Sequence, residues 1–158
     1  IYSIIKSPER APHFHWFCPI YKSSTIYAYK LTSNPIGIGS YQQLKKANIG
    51  ILRHDISHKN LSKRGFELGK NLDISATEDI NLMKLVNGRI DVVIQSPESI
   101  KYRLKKLAYE HIPITKGLAV YDDKEMHHCM ALSLGTNPEI INKISSAFEQ
   151  WQQLQLNN

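Results

Sequence analysis

The chain lacks most of the features that would assign a function quickly. It has only two cysteines, Cys18 and Cys129, too far apart for any metal-ligand spacing, which excludes the small zinc modules. They read as one disulfide of an oxidising compartment or as two free, buried thiols, and free thiols are the ordinary expectation. No apolar run approaches the roughly 20 residues needed to cross a bilayer. There is no signal-peptide pattern, although the chain starts at Ile1 rather than Met, which leaves processing or truncation open. Nucleophile elbow, phosphate loop and metalloprotease helix are all missing, so an enzyme is the least supported class and no cofactor or metal is expected. Lys and Arg outnumber Asp and Glu by 20 to 14. The positive residues are nonetheless dispersed (Lys45-Lys46, Lys63-Arg64, Arg103 with Lys105-Lys106), and no basic stripe interleaved with aromatics points to nucleic acid.

What is present is an alternation of short apolar runs with helical patterns. Thr25 to Tyr29 is rich in β-branched and aromatic residues and predicts a strand. Asn34-Pro35, Gly37 and Gly39 mark a loop, and Ser40 caps a short helix. Asn48 to Arg53 predicts a buried strand, and Leu61, Gly65 and Leu68 fall on one face of a helix over 57–69. Ser75 with Glu78 three residues on has the form of a capping box, ahead of an apolar stripe at Leu82, Met83 and Val86. Ile90 to Ile94 is the next strand. Ser96-Pro97-Glu98 opens another helix, with Pro where its missing N–H costs nothing. Strands near Gly117 to Tyr121 and Met126 to Ser133 precede a last helix from Asn137-Pro138. Its apolar face carries Ile141, Ile144, Phe148 and Trp151, and the polar tail Gln152 to Asn158 is expected to fray. Continuous rather than alternating apolar strands imply an α/β fold with a mainly parallel sheet covered on both faces.

In such sheets ligands sit beyond the carboxyl ends of the strands. Gln95 and Ser96 occupy one such end, and Arg53, His54 and Asp55 another. Ser96 is equally a good N-cap, whatever else it does.

The segments "SPER…FHWFCPI", "IGILRHD", "LVNGRIDVVIQ" and "MALSLGTNPEIINKISSAF" follow one another in an order that resembles the bacterial extracellular solute-binding proteins of family three. These are polar amino-acid-binding receptors of ABC transporters. The resemblance implies a type 2 periplasmic-binding-protein-like fold of two lobes with mainly parallel sheets, joined by two crossing strands and closing on a ligand in the cleft. Residues 1–30 would be part of lobe 1 with a hinge strand from Thr25 to Lys30. Residues 31–125 would be lobe 2, and 126–158 the return strand and C-terminal helix of lobe 1. The family's opening β-α-β-α section has no counterpart, so the first lobe is expected to be incomplete.

Arg10 matches the family's arginine that grips the ligand's α-carboxylate, a role suited to its bidentate fork. Trp16 would border the cleft. Two departures weaken an amino-acid clamp. Arg53-His54-Asp55 stands where the family has glycine and a hydroxyl residue, and Asp55 competes as a cap for the backbone donors there. Ser96 stands where the family has an Asp that pairs with the α-ammonium.

The resemblance therefore implies a periplasmic or cell-envelope receptor for a small polar or acidic solute, an amino acid among the candidates, with an ABC permease as partner. Its alternatives are a remnant or assembly protein that has lost the trap, with a homodimer covering the incomplete lobe, or a sensor domain. His13-x-His15, His127-His128 and Cys129 form an imaginable metal set, but their spacing matches no motif and scattered imidazoles are the expectation. Asp91 reads as structural, and Asp122-Asp123 as a turn.

Overall fold

The computed structural model describes residues 1–21, 24–53, 55–121 and 128–156. In chain order its elements are β1 (Ile4–Ile5), a single 3-10 turn (Ala11–His13), β2 (Phe14–Tyr21), β3 (Ile26–Leu31), α1 (Tyr41–Leu44), β4 (Ile49–Leu52) and α2 (Ile56–Lys63). They continue as β5 (Leu72–Ser75), α3 (Glu78–Val86), β6 (Val92–Gln95), α4 (Pro97–Lys106), β7 (Ile114–Tyr121), β8 (His128–Ser133) and α5 (Pro138–Leu156). The chain divides into two compact units, Ile1–Ser23 with Asp123–Asn158, and Ser24–Asp122.

The first unit is a three-stranded antiparallel sheet, β1-β8-β2, with α5. The mainly parallel pattern expected of both lobes is thus confined to the second unit. β2 is aromatic-rich, and its register against β8 shifts between Phe17 and Tyr21, where Pro19 cannot donate to the ladder. α5 presents Ile141, Ile144 and Phe148 at helical spacing, all half-buried, with Phe148 edge-on to Phe17 at 5.7 Å. Trp151, expected in the core, is 36% exposed and stacks on Phe148. The tail expected to fray from Gln152 remains helical to Leu156.

Cys18 and Cys129 are joined in a disulfide, not free as expected. Phe17 lies opposite Met130, so Cys18 and Cys129 are the next pair along that ladder, with Cα atoms 4.6 Å apart. That is the spacing of a close cross-strand pair, within reach of a disulfide. The bond joins the two chain segments from which the first unit is built.

The second unit is a five-stranded sheet in the order β5-β4-β6-β3-β7. β5, β4 and β6 are parallel, and β3 runs antiparallel between β6 and β7. The segment expected to cross between lobes, Thr25 to Lys30, thus lies inside this sheet as β3. Strand alternation divides the core in two. Ile49, Ile51, Val92 and Ile94 meet Leu44 of α1 and Leu61 of α2 on one face. On the other, Val93 and Tyr29 meet Leu82 and Leu85 of α3 and Ile100 of α4.

Two predicted elements are corrected. α2 ends at Lys63 rather than 69, because Gly65 turns the chain at φ +77°. Leu68 is consequently outside the helix and 53% exposed. β5, which the sequence pattern did not reveal, follows and pairs with β4 along its whole length.

Ile26 at the start of β3 lies opposite Tyr121 at the end of β7. The folded second unit therefore holds its own two ends together, and the loop closed by the disulfide shrinks from a sequence separation of 111 to the roughly 15 residues outside that pairing. On the chain-entropy account such a loop is worth about 3 kcal/mol, against about 4.7 for a loop on the order of 100 residues. The double variant Cys18→Ala/Cys129→Ala is expected to lower stability by about 3 kcal/mol in denaturant unfolding. Hydrogen exchange should show the loss in the first unit and leave the second unit's amides protected.

Candidate functional site

The chain leaves β4 toward β5 on one side, then returns past β4 to β6 on the other. Neighbouring strands whose connections diverge in this way leave a crevice at their carboxyl ends, where open α/β sheets bind ligands. Three helices begin at that edge of the sheet, and each has its own cap. Asp55 accepts from Ser57 N at 3.4 Å, Thr77 from Ile80 N at 3.2 Å, and Ser96 from Ser99 N at 3.1 Å.

The caps correct one prediction with consequences for the site. Ser75 and Glu78 do not form a capping box: Thr77 caps α3, Ser75 ends β5, and Glu78 is the first helical residue. The Glu78 side chain is turned onto the sheet instead. Its Oε2 accepts from Asn81 Nδ2 at 3.0 Å and from Gln95 Nε2 at 2.9 Å. β5 and β4 are paired Leu52 to Ser75, and β4 and β6 Gly50 to Val93, so the same offset carries Leu52 to Gln95. Ser75, Leu52 and Gln95 thus form one row at the carboxyl edge, on the face covered by α3. β3 extends the row with Tyr27, opposite Gln95, and Lys116 Nζ lies 4.5 Å from the Tyr27 ring centre.

This corner is polar and poorly watered. Gln95 is 4% and Ser75 5% exposed, yet Gln95 Oε1 and Ser75 Oγ have no hydrogen-bond partner among the described residues. Burial pushes the Glu78 carboxyl above its ordinary pKa, the Asn81 and Gln95 amides partly offset this, and the neighbouring Asp55 adds to the rise. Arg103 acts in the opposite direction only weakly, since its Nη1 is committed to Asp79 at 2.5 Å. Lys106 and Arg103 together hold the Asp79 carboxyl below its ordinary range.

The residues predicted for the site fall on both units. Gln95, Ser96 and Asp55 lie around the crevice of the second unit. Arg53 is exposed and lines a different cavity of about 600 Å³ beside β5, with Lys70 and Asp73. His54 lies outside the described residues. Arg10 and Trp16 belong to the first unit. Arg10 is exposed, with Nη1 donating to Ile5 O at 3.3 Å, and Trp16 Nε1 donates to Ala11 O at 2.9 Å. His13 falls in the 3-10 turn and His15 in β2, so they do not share one extended segment. His127 and the Asp122-Asp123 pair lie outside the described residues, and among those described no cluster suited to a metal ion is present. Asp91 takes Asn34 Nδ2 at 3.0 Å and Asn48 N at 2.8 Å, which anchors loop and strand starts in the structural role expected.

No protein-family model and no curated protein matches the chain. Solved structures do. A histidine kinase sensor domain with similarity to periplasmic binding proteins matches with a TM-score of 0.77 at 17% identity, over 98% of this chain and 64% of its own. An ancestral arginine-binding protein bound to arginine matches at 0.73 and 18%, over 96% and 63%. The substrate-binding protein of an amino acid ABC transporter matches at 0.73 and 17%, over 97% and 64%. The fold is that of the periplasmic binding proteins. The chain spans a little under two thirds of these periplasmic-binding-type structures, in keeping with an incomplete lobe.

The position of Glu78 has a cost that depends on pH. Its folded pKa lies above the unfolded value near 4.5, so its contribution is most favourable below that value and is lost as pH rises through the raised pKa. Glu78→Gln, which keeps an oxygen for both amides, is expected to match the parent in stability well below pH 4.5 and to exceed it at pH 7. Denaturant midpoints measured across that range test this, and a variant less stable at pH 7 contradicts it. A Cβ at Gly50 would meet Asn81 Oδ1 at 2.8 Å. Gly50→Ala is therefore expected to cost about 1–3 kcal/mol by overpacking, read by the same unfolding measurement.

Proposed function

We propose that the chain is the solute-binding portion of a cell-envelope receptor of the ABC-transporter type, taking a small polar solute such as an amino acid. The observation that carries this reading is the reversal of strand order at β4 and β6, the place where open α/β sheets bind ligands, in a fold whose solved relatives are binding proteins and a sensor domain. Gln95 and Ser96 contact the solute at this edge, with Asp55 as its rim. In the first unit the exposed guanidinium of Arg10 is suited to an acidic group, with Trp16 on the same unit. The role assigned is binding rather than catalysis.

The first unit serves as one lobe and the second, Ser24–Asp122, as the other. Ligand binding acts by population shift, favouring whichever arrangement makes more contacts with the solute. A disulfide persists in oxidising compartments, and the Cys18–Cys129 bond supports a periplasmic or extracellular address. Among the described residues no helix is long and apolar enough to cross a membrane. An ABC permease would receive the solute, and a second copy of the chain is a candidate cover for the incomplete lobe.

A second reading, favoured by the likeness to a histidine kinase sensor domain, is that the same solute site reports to a signalling partner instead of feeding a permease. Both readings require a ligand, whereas a remnant that has lost the trap does not.

A thermal-shift screen against amino acids, small peptides and organic acids tests the common core. A true ligand at a hundredfold excess over its Kd stabilises the native state by about 2.7 kcal/mol. The shift is expected to disappear in Arg10→Ala for ligands that carry a carboxylate. Silence from every compound would favour the remnant.

A further inference from the structure

We infer that Glu78 is the anionic anchor of this site and holds a cationic nitrogen, an ammonium or a guanidinium, of the bound solute. The inference rests on the receptor reading above and names the chemistry that the second unit recognises.

Glu78 is in the right place. It projects from the start of α3 across the end of β4 to Gln95 at the end of β6, which is the mouth of the crevice. Its surroundings are also energetically unusual. Among the described acids at this edge, Glu78 is the one whose carboxylate bonds go to neutral side-chain amides rather than to a helix end. Asp55 takes Ser57 N, and Glu98 is held below the ordinary carboxyl range by its own backbone N–H and by the Ser24 hydroxyl. Glu78 receives Asn81 and Gln95, is pushed up by Asp55, and is offset only weakly by Arg103, whose Nη1 is engaged by Asp79 while its Nε has no partner among the described residues. A glutamine would accept the same two bonds without the cost of burying a charge. A charge placed where it lowers stability is expected at functional sites.

Unmet polar atoms lie on the strand row that Glu78 reaches. Gln95 Oε1 and Ser75 Oγ are more than nine-tenths buried, lie on the α3 face of the same strand row, and have no partner among the described residues. A carboxylate beside oxygens that accept hydrogen bonds suits a ligand group carrying several N–H donors. Each of the three helix starts already has one backbone N–H taken by its own cap, Asp55, Thr77 or Ser96, which leaves fewer donors for an anion. Ser96 cannot supply charge, but Glu78, bonded to the adjacent Gln95, can.

The test titrates the 158-residue chain and its Glu78→Gln variant with four probes, L-arginine, L-glutamine, agmatine and glutarate, by calorimetry at pH 7. At least one of the three cationic-nitrogen probes is expected to bind, and glutarate is not. Glu78→Gln should weaken that binding by about tenfold or more, while its unliganded thermal midpoint does not fall. Carboxyl carbon NMR of Glu78 should show its pKa dropping when the probe is bound, a response that a merely structural residue would not give. Glutarate binding as well as the amines, or a variant that binds them like the parent, overturns the anchor and leaves the receptor reading standing. Silence from all four overturns the anchor, and the receptor reading then falls only if the broader thermal-shift screen is silent as well.

Discussion

Helix α3 can lie against β4 only because residue 50 has no side chain. Asn81 Oδ1 occupies the space where a Cβ would stand, and Ile90 crowds it from the other side. That approach seats the start of α3 low enough for Glu78 to reach Gln95 two strands away. It also buries Asn81 completely; its Nδ2 donates to the Glu78 carboxylate, while its Oδ1 has no partner among the described residues. The polar corner is thus a consequence of close packing, and each of its members fixes the next. α4 is drawn into the same arrangement, since Arg103 and Lys106 reach back to Asp79 on α3.

The carboxylates of this unit divide by what they hold. Asp91 ties Asn34 and the Asn48 backbone, and Asp73 binds Lys84 across from α3. These acids have donors that match their charge or fix a turn, and they read as framework. Glu78 has amide donors but no committed cation among the described residues, and its neighbours push it toward the protonated form. Structural economy accounts for the first group and not for the second, a contrast more informative than the number of acids at the edge.

Much of the fold was legible because its signals are local. Ser96 followed by Pro97 marked the start of α4 correctly, the apolar run at Ile49 marked β4, and alternation of strands with helices implied the layered sheet. The failures share a cause. β5 has four residues, two of them polar (Asp73 and Ser75), so it carries neither a continuous apolar run nor a hydrophobic alternation long enough to notice. With β5 unread, Ser75 was free to serve as a cap, and Glu78 was explained as its capping partner. The residue with the most unusual environment was thereby hidden behind a conventional role that Thr77 performs. The disulfide was missed for the same kind of reason. Only the pairing of β2 with β8 makes Cys18 and Cys129 neighbours, and pairing between strands so distant in sequence leaves no mark on either segment.

The adjacency of Ile26 and Tyr121 in the β3–β7 ladder has a meaning for ancestry and engineering. A unit that enters and leaves through neighbouring strands is topologically a guest within its host chain. It can be exchanged between hosts as a cassette, needing only an acceptor loop whose ends are a few ångströms apart. Selection can therefore vary the carboxyl edge of such a guest's sheet without redesigning the antiparallel sheet of the host segments.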